Sequence, residues 1–100
     1  MSQINIRQET KGAKGRYVAT LDGAEAELTF TRVAPNRLSL DHVGVPKELE
    51  GRGVGGALVQ HAVARAREEG TKLIARCPFA AAQFKRHPEW ADVFDPGAGL

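Results

Sequence analysis

One hundred residues, 42% hydrophobic and 26% charged, read as one ordinary globular domain (1–100) too small to enclose a large interior cavity. A net charge of +2 on scattered Lys and Arg argues against a dedicated nucleic-acid face, and the single cysteine, Cys77, excludes an intramolecular disulfide. Nothing approaches the ~18 apolar residues of a membrane span. The first residues also lack the apolar run of a signal peptide, so the expectation is a soluble, cytoplasmic chain with no membrane partner.

Gln3 to Gln8 alternates polar and apolar, with Ile4 and Ile6 on one face, and predicts a first strand. Thr10 to Gly15 reads as a turn and Arg16 to Leu21 as a second strand. Asp22-Gly23 then signals a two-residue hairpin, since both positions tolerate φ > 0. Its partner strand is Glu25 to Val33, with Ala26, Leu28, Phe30 and Arg32 on one face. After Ala34-Pro35-Asn36, a fourth strand runs from Arg37 to Pro46. Lys47 to Arg52 is an approach loop to a long helix, Gly53 to Glu69, whose apolar stripe is Val54, Leu58, Ala62 and Ala66, widened by Val59 and Val63. Gly70 stops it. Thr71 to Arg76 is a fifth strand, joined to the fourth through the helix and therefore parallel to it. Phe79 to Arg86 is a second, shorter helix ending at His87-Pro88, and the tail from Trp90 carries Val93 and Phe94 before small residues expected to fray. The order predicts an α+β fold: a mixed, mostly antiparallel sheet with two helices.

The chemical signal lies in Glu50-Gly51-Arg52-Gly53-Val54-Gly55-Gly56, four glycines in six positions at the start of the long helix. The first turn of a helix has N–H groups without intrahelical acceptors, and no Ser, Thr, Asp or Asn stands here to cap them. Glycine allows close approach to that backbone, where the helix dipole favours an anion such as a phosphate. Each Gly inside a helix costs about 1 kcal/mol against Ala, so a purely structural helix would gain from Ala at 55 and 56. The competing reading is a tight turn that merely needs glycine. Gly51, Gly53 and Gly56 also satisfy G-x-G-x-x-G, but four strands precede them and no acidic residue ends the next strand, which excludes the dinucleotide fingerprint. Ala57 and Leu58 stand where a P-loop needs Lys and Ser or Thr. The histidines and Cys77 lack metal-ligand spacing, so no metal is expected.

Glu50 to Gly55 resembles the acetyl-CoA signature of the GNAT acetyltransferase superfamily, with Glu50 where Gln or Arg is usual. Together with His42-Val43-Gly44-Val45-Pro46, Cys77-Pro78-Phe79 and His87-Pro88-Glu89-Trp90, it is similar to a minimal subfamily of about this length that lacks the helices after the first strand. The resemblance implies an N-acetyltransferase in which acetyl-CoA lies between splayed fourth and fifth strands. It further implies that the N–H groups of Arg52, Gly53, Val54, Gly55 and Gly56 hold the pyrophosphate, that Val43 and Val45 face the pantetheine, and that Phe79, His87 and Trp90 lie near the outer wall. Catalysis would fall to His42 as base and to Cys77 as acid or nucleophile, giving direct transfer or transfer through Cys77.

Blander readings stand beside these. A lone Cys before Pro is commonly a small buried hydrophobe, and a lone His a satisfied one. Tyr17 reads as packing, His61 as exposed, Trp90 as an anchor for the tail, and Arg65-Arg67-Glu68-Glu69 as a solvated helix end. A non-catalytic acyl-CoA-binding module is the alternative function. The acceptor, a small-molecule or protein amine, is not specified by the sequence, and monomer and weak homodimer both stay open.

Overall fold

A computed structural model of the chain describes residues 4–95. Its elements in order are β1 (Asn5–Lys11), β2 (Lys14–Leu21), β3 (Ala24–Ala34), β4 (Arg37–Gly44), α1 (Val54–Glu69), β5 (Lys72–Ala75) and α2 (Pro78–Arg86), with short 3-10 turns at Lys47–Leu49 and Pro88–Trp90. The strands form one sheet in the order β1-β2-β3-β4-β5. The first three neighbouring pairs are antiparallel, and β4 pairs parallel with β5 through the α1 crossover. This is the mixed, mostly antiparallel sheet with two helices that the pattern predicts.

The alternation along β2 and β3 sets the layers. Tyr17, Ala19, Leu28 and Phe30 enter one core with Leu58, Val59, Ala62 and Val63 of α1 and Ala80 and Phe84 of α2. Leu28, Leu40, Leu58 and Leu73 are fully buried. Each side chain of this kind contributes about 1.5–3 kcal/mol by leaving water. The residues between them point to the other face, where Arg7 joins Glu9 and Glu25, and Arg16 joins Glu9 and Glu27, at 2.7–3.1 Å. That polar face flanks Val18, which is buried between the register partners Arg7 and Glu27.

Several boundaries differ from the sequence reading. The first turn shrinks to Gly12 and Ala13, because pairing continues to Lys11↔Lys14 and is reinforced by the Glu9–Arg16 ion pair across the strands. Asp22 (φ 51°) and Gly23 (φ 78°) make the expected hairpin turn. Arg32 sits at the rim of the core face, where it reaches Glu69 of α1 at 3.8 Å. His61 is half-buried, edge-on to Tyr17 with ring centroids 4.9 Å apart, and not simply exposed. Arg67 departs from the solvated helix end by holding Asp92 with two bonds of 2.8 Å. The tail is docked as far as Phe94, which bridges to Leu73 and stacks on Phe84. Gln3 and the small residues after Asp95 lie outside the described residues.

Candidate active site

The site begins where β4 and β5 part. Their pairing covers only Arg37–Leu40 against Lys72–Ala75. The carbonyl of Leu40 then accepts the N–H of both Arg76 and Cys77, each at 3.1 Å, and the chain turns into α2 with Pro78 at its first position. β4 runs on to Gly44 with its β5-facing edge left free of backbone partners among the described residues. A bulge drives this divergence: Thr29 pairs with His42 and Phe30 with Leu40, so Asp41 is the extra residue. The Asp41 carboxylate accepts the Thr31 hydroxyl at 2.6 Å and the hydroxyl of buried Ser39, so one side chain ties the bulge to β3 and to its own strand.

A cleft of about 560 Å³ opens along the freed edge. Val43, Val45, Leu49, Val54 and Phe79 make its apolar wall, and Glu50, Gly51, Gly53, Gly55, Gly56 and Gln83 complete it. The polar end is the N-terminus of α1. Gly53 is its N-cap in the left-handed region (φ 78°), with no side-chain cap and no acidic residue in the first turn. The first helical bond runs from Ala57 N–H to Gly53 carbonyl at 3.0 Å, which leaves the N–H groups of Val54, Gly55 and Gly56 ahead of it. The two glycines of the first turn differ. A Cβ on Gly55 would lie 2.8 Å from Phe79 Cζ, so Gly55 is the seat of that ring. A Cβ on Gly56 would meet only Gln83 Oε1 at an ordinary 3.6 Å. Packing therefore explains Gly55, while nothing in the fold demands glycine at 56.

Val43, Val45, Gly53, Val54, Gly55, Gly56 and Phe79 thus come together around one cleft. Arg52 stands aside: its N–H donates to Leu49 carbonyl at 3.3 Å and its guanidinium pairs with Asp22 at 2.8 Å. His87 lines an adjoining cavity of about 290 Å³ that shares Gly53, Gly56 and Gln83 with the cleft. Its ring stacks on Trp90 at 4.0 Å, and its Nδ1 lies 2.9 Å from Glu89, whose carboxyl it holds below the usual range. Cys77 is 6% exposed, belongs to the hydrophobic core and does not line the cleft. His42 is exposed on the opposite face of β4, in register with Thr29, and its Nε2 leans over Gly44. Among the described residues no group of His, Cys, Asp and Glu is arranged to hold a metal.

Sequence reasoning missed Leu49, Gln83 and Asp41. Leu49 opens the matching Leu49-to-Gly55 segment without a role read for it, and Gln83 carries no motif. Asp41 carried a signal, an acid of low strand propensity between the apolar residues Leu38, Leu40 and Val43 of the fourth strand.

A family model described as GCN5-related N-acetyl-transferase matches residues 16–93. The chain belongs to this family. Its fold agrees with the solution NMR structure of a GCN5-like protein from Staphylococcus aureus, at 34% identity and a TM-score of 0.67 over 91% of this chain and 89% of that one. A search of the curated proteins gives no match. Membership makes the chain an acyltransferase of the N-acetyltransferase class, a family that uses acetyl-CoA. The cleft suits that group: an apolar trough ends on backbone donors that no side chain caps.

Proposed function

We propose that this chain binds acetyl-CoA along the free edge of β4 and transfers the acetyl group directly to an amine. One observation carries the reading: the apolar cleft ends on a sixteen-residue helix whose N-terminus has neither a side-chain cap nor an acid. The N–H groups from Gly53 to Gly56 would hold the pyrophosphate, as a bare helix start favours negative charge. Val43 and Val45 flank the pantetheine, and Phe79 and His87 stand on the outer wall. The bound cofactor supplies an acetyl group activated as a thioester. His42 takes the proton of the incoming amine at Nε2, on the face of β4 that solvent reaches, as the new N–C bond replaces the thioester C–S bond and the sulfur leaves as a thiolate.

Direct transfer is favoured over a relay because the Cys77 thiol is packed in the core, off the cleft wall. The test is thiol release from acetyl-CoA with a panel of amines, in wild type, His42→Ala and Cys77→Ala. Loss of a general base lowers turnover by roughly 10²–10⁴-fold, so His42→Ala should fall in that range while Cys77→Ala stays near wild type. Lost transfer in Cys77→Ala, with acetyl-CoA still bound, would replace the direct route by a relay through the thiol.

A further inference from the structure

A second cavity, of about 440 Å³, lies under the end of β4. Arg16, Glu25, Glu27, Gly44 and Pro46 line it, together with Val45, which also walls the cofactor cleft. The two hollows therefore meet across one residue at the tip of the strand. Gly44 sits where they approach the proposed base. A Cβ there would lie 3.3 Å from His42 Nε2 and 3.8 Å from Glu27 Cγ. Gly44 does not have a positive φ, so backbone conformation does not require glycine here. What its missing side chain leaves is a gap between the His42 imidazole and the stem of the Glu27 side chain.

The charge of this cavity is lopsided. Its wall has two carboxylates, Glu25 and Glu27, against one guanidinium, Arg16, and with Glu9 and Arg7 the surrounding network holds three carboxylates to two guanidinia. Arg16 Nη1 donates to Glu27 Oε1 at 2.7 Å, and Oε2 accepts no bond among the described residues. Glu25 likewise receives Arg7 on Oε2 only. One oxygen of each carboxylate is thus left to accept from a ligand, with Glu27 in register with Gly44 and Glu25 two residues away along β3.

We infer that the acceptor enters through this cavity and that it is a slender aliphatic diamine: one nitrogen crosses Gly44 beside His42, and the other, as an ammonium, is held by Glu27 with Glu25 beyond it. This rests on the acetyl-CoA reading above and adds the acceptor class. Glu27 is then a specificity residue, and Gly44 the floor that lets the chain of the amine pass. An anionic tail would meet two carboxylates and be refused.

The experiment compares acetyl transfer to 1,5-diaminopentane and to 6-aminohexanoate, which share a primary amine and differ in the sign of the far end. It uses wild type, Glu27→Gln, Glu27→Asp and Gly44→Val, with acetyl-CoA affinity measured separately by calorimetry. Wild type should favour the diamine by roughly tenfold or more in kcat/KM, the scale of one well-placed charge contact. Glu27→Gln should bring the ratio toward unity, Glu27→Asp should restore it, and Gly44→Val should raise the KM of the diamine. Acetyl-CoA affinity should be unchanged in all of them. Equal rates for the two amines overturn the inference, as does an unaltered ratio in Glu27→Gln or acetyl-CoA binding without transfer to either amine. Absence of acetyl-CoA binding in wild type is a different result, because it removes the cofactor reading itself.

Discussion

Gly55 and Gly56 are neighbours with the same helical conformation, yet they answer different demands. Gly55 faces the Phe79 ring at a distance no Cβ tolerates, whereas Gly56 has ordinary room. Gly55→Ala should push Phe79 aside, destabilising wild type by about 1 kcal/mol net, an overpacking cost partly offset by helix propensity. In a Phe79→Ala background the same change should stabilise by about 1 kcal/mol, because only the propensity gain is left. Denaturant unfolding of wild type, the two single variants and the double variant measures this coupling, and additive effects would mean the ring does not rest on Gly55. Gly56→Ala should raise stability by about 1 kcal/mol while weakening acetyl-CoA, since the methyl intrudes on the bare turn. At this scale the sequence showed that the glycines matter. It did not separate packing from binding, because the Phe79 ring arrives from another helix. The same limit applies to Cys77 and His42, whose types suggest chemistry while burial and facing follow from tertiary contacts.

Among the elements, β4 positions the site through its bulge. The Asp41 carboxylate satisfies the buried Ser39 hydroxyl and the Thr31 hydroxyl. Asp41→Ala leaves both donors without that acceptor, a loss worth about 1–3 kcal/mol for a buried group. The variant should also let β4 and β5 pair further and narrow the cleft. Chemical denaturation and acetyl-CoA titration together check this, and a variant with unchanged stability and affinity would show that the bulge does not depend on Asp41. The strands themselves were legible, as alternation in Leu28 and Phe30 and the Asp22-Gly23 turn depend on local rules. Strand ends were less so. Cross-strand pairs such as Glu9–Arg16 extend β1 and β2, and β4 ends at Gly44, before Pro46, where its pairing with Glu27 of β3 stops.

For the whole molecule, stability should fall with acid in two windows. Burial, chiefly, pushes the His61 imidazole below its ordinary value, with Arg65 adding to the effect. Folding then favours neutral His61, so this contribution is complete above the unfolded value near pH 6.5 and is lost as pH falls through the lower folded value. Glu9, Glu89 and Asp92 are held below the usual carboxylate range by Arg16, His87 and Arg67 respectively. Their contribution is present above about pH 4 and disappears as pH falls through their depressed values. Thermal unfolding from pH 7.5 to 3 should show both declines, and His61→Gln should flatten the upper one. A wild-type upper window identical to that of His61→Gln would contradict the first assignment. The global architecture was legible because each element announces its neighbour through short connections. The docking of the tail was legible only in Trp90, which is buried as its anchor, since Arg67–Asp92 and Leu73–Phe94 join residues distant in sequence.

The account turns on the start of α1 as the anion end of an acetyl-CoA cleft, and a calorimetric titration of wild type and Gly56→Asp addresses it most directly. An acid in the first turn favours the helix, so the variant should fold at least as stably as wild type. It should nonetheless bind acetyl-CoA far more weakly, because its carboxylate faces the pyrophosphate across bare backbone. Wild-type binding that Gly56→Asp leaves intact, or no wild-type binding at millimolar cofactor, would contradict the account.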